Sequence, residues 1–191
     1  RERVERGERP DVVILSQAAI AQLAKLDLID RDSIRDIGDV QVGLAVAASA
    51  PATALPAISS AEGLRATLLA AKSIAYADPA RGATAGAHFA TVLQALGLRE
   101  QLAARITVLP FGVDVIEAVA AGRFELGISQ SSEIVQHAGV RYVGALPAPY
   151  RLATRYQAAA LKGRTNGAAL LRYLAGSAGQ AASRKSGFAA P

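Results

Sequence analysis

The sequence predicts an α/β fold of two lobes, with largely parallel sheets flanked by helices. Two observations carry that prediction. Short apolar runs alternate with segments of helical spacing along the whole chain, and no period of internal repetition is visible. A proline-rich stretch, SAPATALPAISS at 49–60, then interrupts the alternation too early for one large doubly wound sheet. It reads as an extended segment crossing between lobes.

The elements follow in order. Residues 1–6 form a charged helical tail stopped by Gly7. Pro10 leads into a strand at 11–15, apolar on both faces as in a covered parallel sheet. Ser16 follows directly and precedes a helix through Leu26, with Ile20, Leu23, Ala24 and Leu26 on its apolar side. Ser16 has two readings, a helix N-cap or a ligand donor at a strand's C-terminal end. VQVGLAVA at 40–47 is a second strand, and Ser59 or Ser60 caps a helix over 61–71.

The stretch 73–97 is the most informative. Ser73 to Ala77 is a buried strand closed by the turn signal Asp78-Pro79, and Gly82 to Gly86 has almost no side-chain bulk. Phe89, Val92, Leu93 and Leu96 then have helical spacing. A small loop opening a helix turns backbone N–H groups and the positive end of the dipole toward a bound anion. Thr84 would add a hydroxyl and Arg81 a charge; the plainer reading makes Thr84 an N-cap in an ordinary strand–helix turn.

Beyond it, 106–109 is a strand, and Pro110-Phe111-Gly112 turns it into a helix over 113–121 with Asp114 in its first turn and Gly122 after its last. Strands are expected at 124–129 and 140–146, and an extended segment at 152–161. Thr165 or Asn166 caps a helix through Leu174, and Ser177 caps a last one through Lys185, ended by Gly187.

Composition narrows the function. Of 191 residues 51% are hydrophobic, enough for a sizeable core and too many for disorder. The net charge of +5 favours anionic partners, but the basic residues are dispersed, without aromatic interleaving, which argues against a nucleic-acid face. Without cysteine there is neither disulfide nor thiolate metal site. No run reaches the roughly 18 apolar residues of a membrane span. No signal peptide is visible; the opening RERVERGERP reads as a helix already under way, so an N-terminal part is expected to be missing.

Catalytic patterns are sparse. His88 and His137 stand in no metal-ligand spacing. GISQSS is not a nucleophile elbow, and RGATAGAH lacks the G-K-[ST] of a phosphate loop. Asp78, Asp114, Glu117 and Glu133 stand at turns and helix starts, where caps or solvated charges are expected. Hydroxyls gather at strand–helix junctions instead: Ser16, Thr84, and Ser129 with Ser131 and Ser132. That inventory suits hydrogen-bonding a ligand better than breaking a bond.

DVVILSQAAIAQLAKLDLI, SIAYADPARGATAGAHFATVLQALGL, GVDVIEAVAAGRFELGIS with QSSEIV, and the tail AAALKG…LLRYLAGSAGQAASRKSGF together resemble the molybdate-binding-like periplasmic solute receptors of ABC importers. The resemblance spans nearly the whole chain. It implies a type II periplasmic binding protein fold, here with its N-terminal strand missing, and lobes at 1–47 with 131–191 and at 48–130. It implies a non-enzymatic, periplasmic, monomeric receptor without cofactor or metal. Its partners would be a small anionic solute, with a molybdate- or tungstate-like oxyanion foremost, and the permease–ATPase complex, with neither nucleic acid nor membrane insertion. Ser16, Ala85 and Val115 would be donors to that ligand, with Thr84 beside them. Gln130 stands where the family usually places a tyrosine, which implies weaker or broader binding. The alternative is the ligand-sensing effector domain of a transcription regulator. A pyrrole-chain deaminase of similar architecture would need a cofactor-bearing cysteine.

Overall fold

The computed structural model describes residues 1–51 and 55–190. In chain order the elements are α1 (Glu2–Glu5), β1 (Val12–Ser16), α2 (Gln17–Lys25), β2 (Arg35–Ala47), α3 (Ala61–Ala70), β3 (Ile74–Ala77), α4 (Thr84–Ala95), α5 (Arg99–Leu102), β4 (Ile106–Leu109), α6 (Gly112–Ala120), β5 (Leu126–Gln130), α7 (Ser131–Ile134), β6 (Val140–Ala145), β7 (Ala153–Ala160), α8 (Ala168–Ala175), α9 (Ser177–Lys185) and β8 (Phe188–Ala189). They divide into two compact units, Arg1–Val40 with Ala153–Pro191, and Gln41–Leu152. The chain passes between them inside β2 and again just before β7, so the bounds differ from those expected at 47/48 and 130/131. Of the proline-rich segment, 52–54 lie outside the described residues; the flanking parts belong to the second unit.

In the first unit β1 and β7 are antiparallel, with Val12 opposite Ala160 and Ser16 opposite Tyr156. The first part of β2 lies beside β7 and pairs antiparallel with β8. The expected parallel pairing is thus absent from the ladders described for this unit. Ile20 and Leu23 of α2 pack on Val13 with Ile29 and Leu161. Leu171 of α8 packs on Ala158 and Ala160. β1 is less covered than its apolar sequence suggests, because Ile14 is 46% exposed. Leu26, expected inside, is the C-cap of α2 and exposed. The helices α8 and α9 start after Gly167 and Gly176, and neither Thr165, Asn166 nor Ser177 caps them through its side chain. The carboxylate of Asp39 takes two hydrogen bonds from Arg155, at 2.9 and 3.3 Å.

The second unit holds the parallel strands. β3 lies between β4 and β5 and runs parallel to both. β5 and β6 each pair antiparallel with the second part of β2. Strand residues alternate between two buried faces, as a sheet covered on both sides requires. Ile74, Tyr76, Leu126 and Ile128 join Leu64 and Leu68 of α3 and Phe89, Val92 and Leu93 of α4. The opposite face is made of small residues: Ala45 packs with Ile116 of α6, and Ala75 and Ala77 with Val115. Gly127 shares this face, where an added Cβ would stand 2.7 Å from Val119. Small residues there let α6 settle close to the sheet. Among the described residues no helix is long and apolar enough to cross a membrane.

Candidate functional site

The C-terminal ends of β3, β4 and β5 emerge along one edge, since the three run parallel. The connection after β3 is α4, on one face; that after β4 is α6, on the other. Helices leaving neighbouring strands toward opposite faces open a crevice between them, where α/β sheets bind ligands. A recess of about 210 Å³ lies there. It is lined by Ala77, by Arg81 to Ala85, by the turn Pro110-Phe111-Gly112, and by Ser129, Gln130 and Glu133.

Local chemistry builds each wall. Asp78 accepts the N–H of Ala80 at 2.9 Å and closes a single 3-10 turn at Pro79–Arg81. Gly82, at φ +82, reverses the chain in the left-handed region that favours glycine. α4 then begins at Thr84, with Ala83 at the cap position and no capping side chain. The N-cap role expected of Thr84 is therefore not taken up; it is the first helical residue, and exposed. The first N–H groups of a helix have no intrahelical acceptor, so those of Thr84 and Ala85 remain for a ligand. Arg81 stands over the Phe111 ring at 5.6 Å, with Asp78 3.7 Å from its guanidinium.

The opposite wall begins with α6, where Asp114 caps the helix by accepting the N–H of Phe111 at 3.0 Å. Glu133 accepts the hydroxyl of Ser129, and the N–H of Gln130 at 3.3 Å through the same oxygen. Asp78, Asp114 and Glu133 are thus caps, as expected of acidic residues at such positions. The Gln130 amide lines the recess.

Thr84, Ala85 and Gln130 of the expected site residues therefore line one recess. Val115 does not: its N–H is already donated to the carbonyl of Phe111 at 3.3 Å, and its side chain is buried against the sheet. The helix start lies one turn earlier, at Gly112, so a donor expected at Val115 falls instead at Gly112 and Val113. Ser16 belongs to the first unit, where its hydroxyl caps α2 by accepting the N–H of Ala19 at 3.4 Å. Ser131 is structural, its hydroxyl accepting the N–H of Gln41 at 3.1 Å. Glu133 and Gly112 are among the recess residues not singled out as ligand groups from the sequence; the Gln130-to-Glu133 capping-box spacing is the signal for one of them. His88 stands 2.7 Å through Nε2 from the carbonyl of Tyr150, and His137 accepts the N–H of Gly139 at 3.1 Å. Among the described residues no group of three or more His, Cys, Asp or Glu side chains is placed to hold a metal ion.

Comparison with known proteins agrees with this architecture. The substrate-binding domain from Clostridium difficile, described as that of a molybdenum ABC transporter, superposes with a TM-score of 0.75 at 19% identity, over 100% of this chain and 81% of that one. The periplasmic molybdate-binding protein of Azotobacter vinelandii gives 0.71 at 21%, over 100% and 82%. At these identities they show the fold. A curated relative, an aconitate isomerase from a Pseudomonas species, is 30% identical over 177 residues; the match takes in 91% of this chain and 64% of that protein's length. The family model described as bacterial extracellular solute-binding protein matches residues 1–189, and the chain belongs to that family.

Proposed function

We propose that the protein is the extracytoplasmic receptor of an ABC importer and that it binds a small anion at the recess ending β3, β4 and β5. The observation that carries this reading is that α4 opens onto the recess with its first N–H groups lacking intrahelical acceptors and Arg81 at the rim, beside the turn that enters α6. Thr84 supplies a hydroxyl and Ala85 a backbone N–H, neutral donors that hold an anion without a buried ion pair. Gln130 supplies an amide able to donate or accept. A molybdate- or tungstate-like oxyanion is the first candidate ligand, with no catalysis. A second reading, conversion of a small tricarboxylate, is favoured by the aconitate isomerase relative. Calorimetry of the full-length protein with molybdate, tungstate, sulfate, phosphate and the two aconitate isomers tests both. Heat with any of them supports an anion receptor. Silence with all six removes it. Interconversion of cis- and trans-aconitate followed by proton NMR would replace the receptor by the isomerase.

A further inference from the structure

We propose that Glu133 makes this recess selective for anions that carry a hydroxyl of their own; the proposal rests on the anion-binding reading above and puts a hydroxyl-bearing anion in the place of the bare oxyanion as its ligand. Two hydrogen bonds reach the Glu133 carboxylate, from Ser129 and Gln130, and both end on Oε2. Oε1 is the oxygen through which the carboxylate can accept a further one. The group stands against the first residue of α6: a Cβ built on Gly112 would lie 2.3 Å from Oε2 and 2.7 Å from Cδ. The glycine thus makes the space that the carboxylate fills.

The consequence is an asymmetric recess. Its α4 side offers N–H groups, the Thr84 hydroxyl and the Arg81 charge. Its α6 side already holds an anion of the protein's own, at the helix end that would otherwise favour one. A carboxylate only accepts hydrogen bonds. A bare dianion such as sulfate or molybdate also only accepts, so it would meet Glu133 with like charge and no proton between the two. An anion with an O–H turns its charge to α4 and Arg81 and donates to Oε1. The Gln130 amide adjusts to either orientation.

Two matched ligand pairs isolate this effect in calorimetry of the full-length protein at pH 8. Hydrogenphosphate and sulfate share shape and charge there and differ by one proton; malate and succinate differ by one hydroxyl. The wild type should bind the hydroxyl-bearing member of at least one pair about tenfold more tightly, the scale of a hydrogen bond to a charged group. In Glu133→Gln that ratio should fall to about twofold, since an amide can face either ligand. Equal affinities within both pairs overturn the proposal, as does exclusive molybdate binding or a full ratio retained in E133Q. If E133Q does not fold, Glu133→Asp serves: it keeps the charge but shortens the reach, and an undiminished ratio there overturns the proposal equally. Binding of bare oxyanions without discrimination leaves the receptor reading standing; silence with every anion removes both.

Discussion

Gly86 offers the sharpest test of how the recess is built. It is the third residue of α4, and a Cβ placed on it would lie 1.7 Å from the carbonyl oxygen of Ala77 and 2.8 Å from its carbon. Both partners are backbone, so no flexible side chain can give way. A carbon–oxygen contact settles at about 3.3 Å, so Gly86→Ala forces the first turn of α4 back by about 1.6 Å. That retreat pulls Ala85 and Phe89 from places where they are 4% and 0% exposed. Overpacking of this kind costs about 1–3 kcal/mol, against at most about 1 kcal/mol returned by the better helix propensity of alanine. A net loss of about 1 kcal/mol lowers the melting temperature by about 2–4 °C for a chain of this size. Circular dichroism on heating reads that value, and calorimetry with the best anion reads the accompanying loss of affinity, since Thr84 and Ala85 move with the turn. Gly97→Ala is the comparison: at φ +66 and with nothing within 4 Å, it strains the backbone and should leave binding unchanged. A Gly86→Ala protein that melts within about 1 °C of wild type would refute the argument.

Other expectations follow from single contacts. Arg81→Gln removes the rim cation and should weaken anion binding about tenfold, with a shallower salt dependence; an unchanged affinity would place the anion elsewhere. Ser16→Ala loses a long N-cap bond of 3.4 Å and should cost about 0.5–1 kcal/mol. Urea unfolding reads that loss, and an unchanged midpoint would show that the hydroxyl does not cap α2. The Lys162 ammonium hydrogen-bonds the Asp27 carboxylate and, by that bond and its charge, holds the carboxyl below its ordinary range, with Arg31 adding to the effect. A lowered folded-state pKa gives stability that is present above the unfolded value and lost as pH falls through the folded one. Lys162→Gln should therefore move the Asp27 midpoint upward in a carboxyl NMR titration; a midpoint that stays put excludes Lys162 as the cause.

Much of the fold is legible because local signals agree with the tertiary structure. β3, the turn at Asp78-Pro79, α4 and β4 carry apolar spacing, a proline and glycines that all ask for the same geometry. Strand direction is where the reading departs. A run apolar on both faces, such as 11–15, fits a covered parallel strand, yet β1 pairs antiparallel with β7 at 153–160, far away in sequence. Apolar periodicity fixes which residues are buried, not which neighbour a strand finds. The unit boundary is misplaced for a related reason. Prolines at 51 and 56 suggest a crossing, but the chain crosses inside the continuous strand β2.

The recess was half legible. Thr84 and Ala85, expected from the habit of α/β sheets to open beyond their strand ends, line the recess, as does Gln130, which the family resemblance implies. Val115, implied by the resemblance, does not line the recess: the helix start is legible to within one residue, and by Val115 the backbone N–H already has the carbonyl of Phe111 four residues back. Glu133 is readable as the cap of its own short helix, and it is one. What spacing cannot show is that α6 brings its first residue against that carboxylate, or that this residue must be glycine for the carboxylate to stay. A capping role and a ligand-facing role then fall on one side chain through its two oxygens, Oε2 holding the protein and Oε1 left for a proton donor. The charge that steadies α7 and the charge that the ligand meets are the same charge. Removing it should therefore change selectivity as well as stability, whereas loss of a purely structural cap such as Ser60 on α3, which is not among the residues lining the recess, should change stability alone.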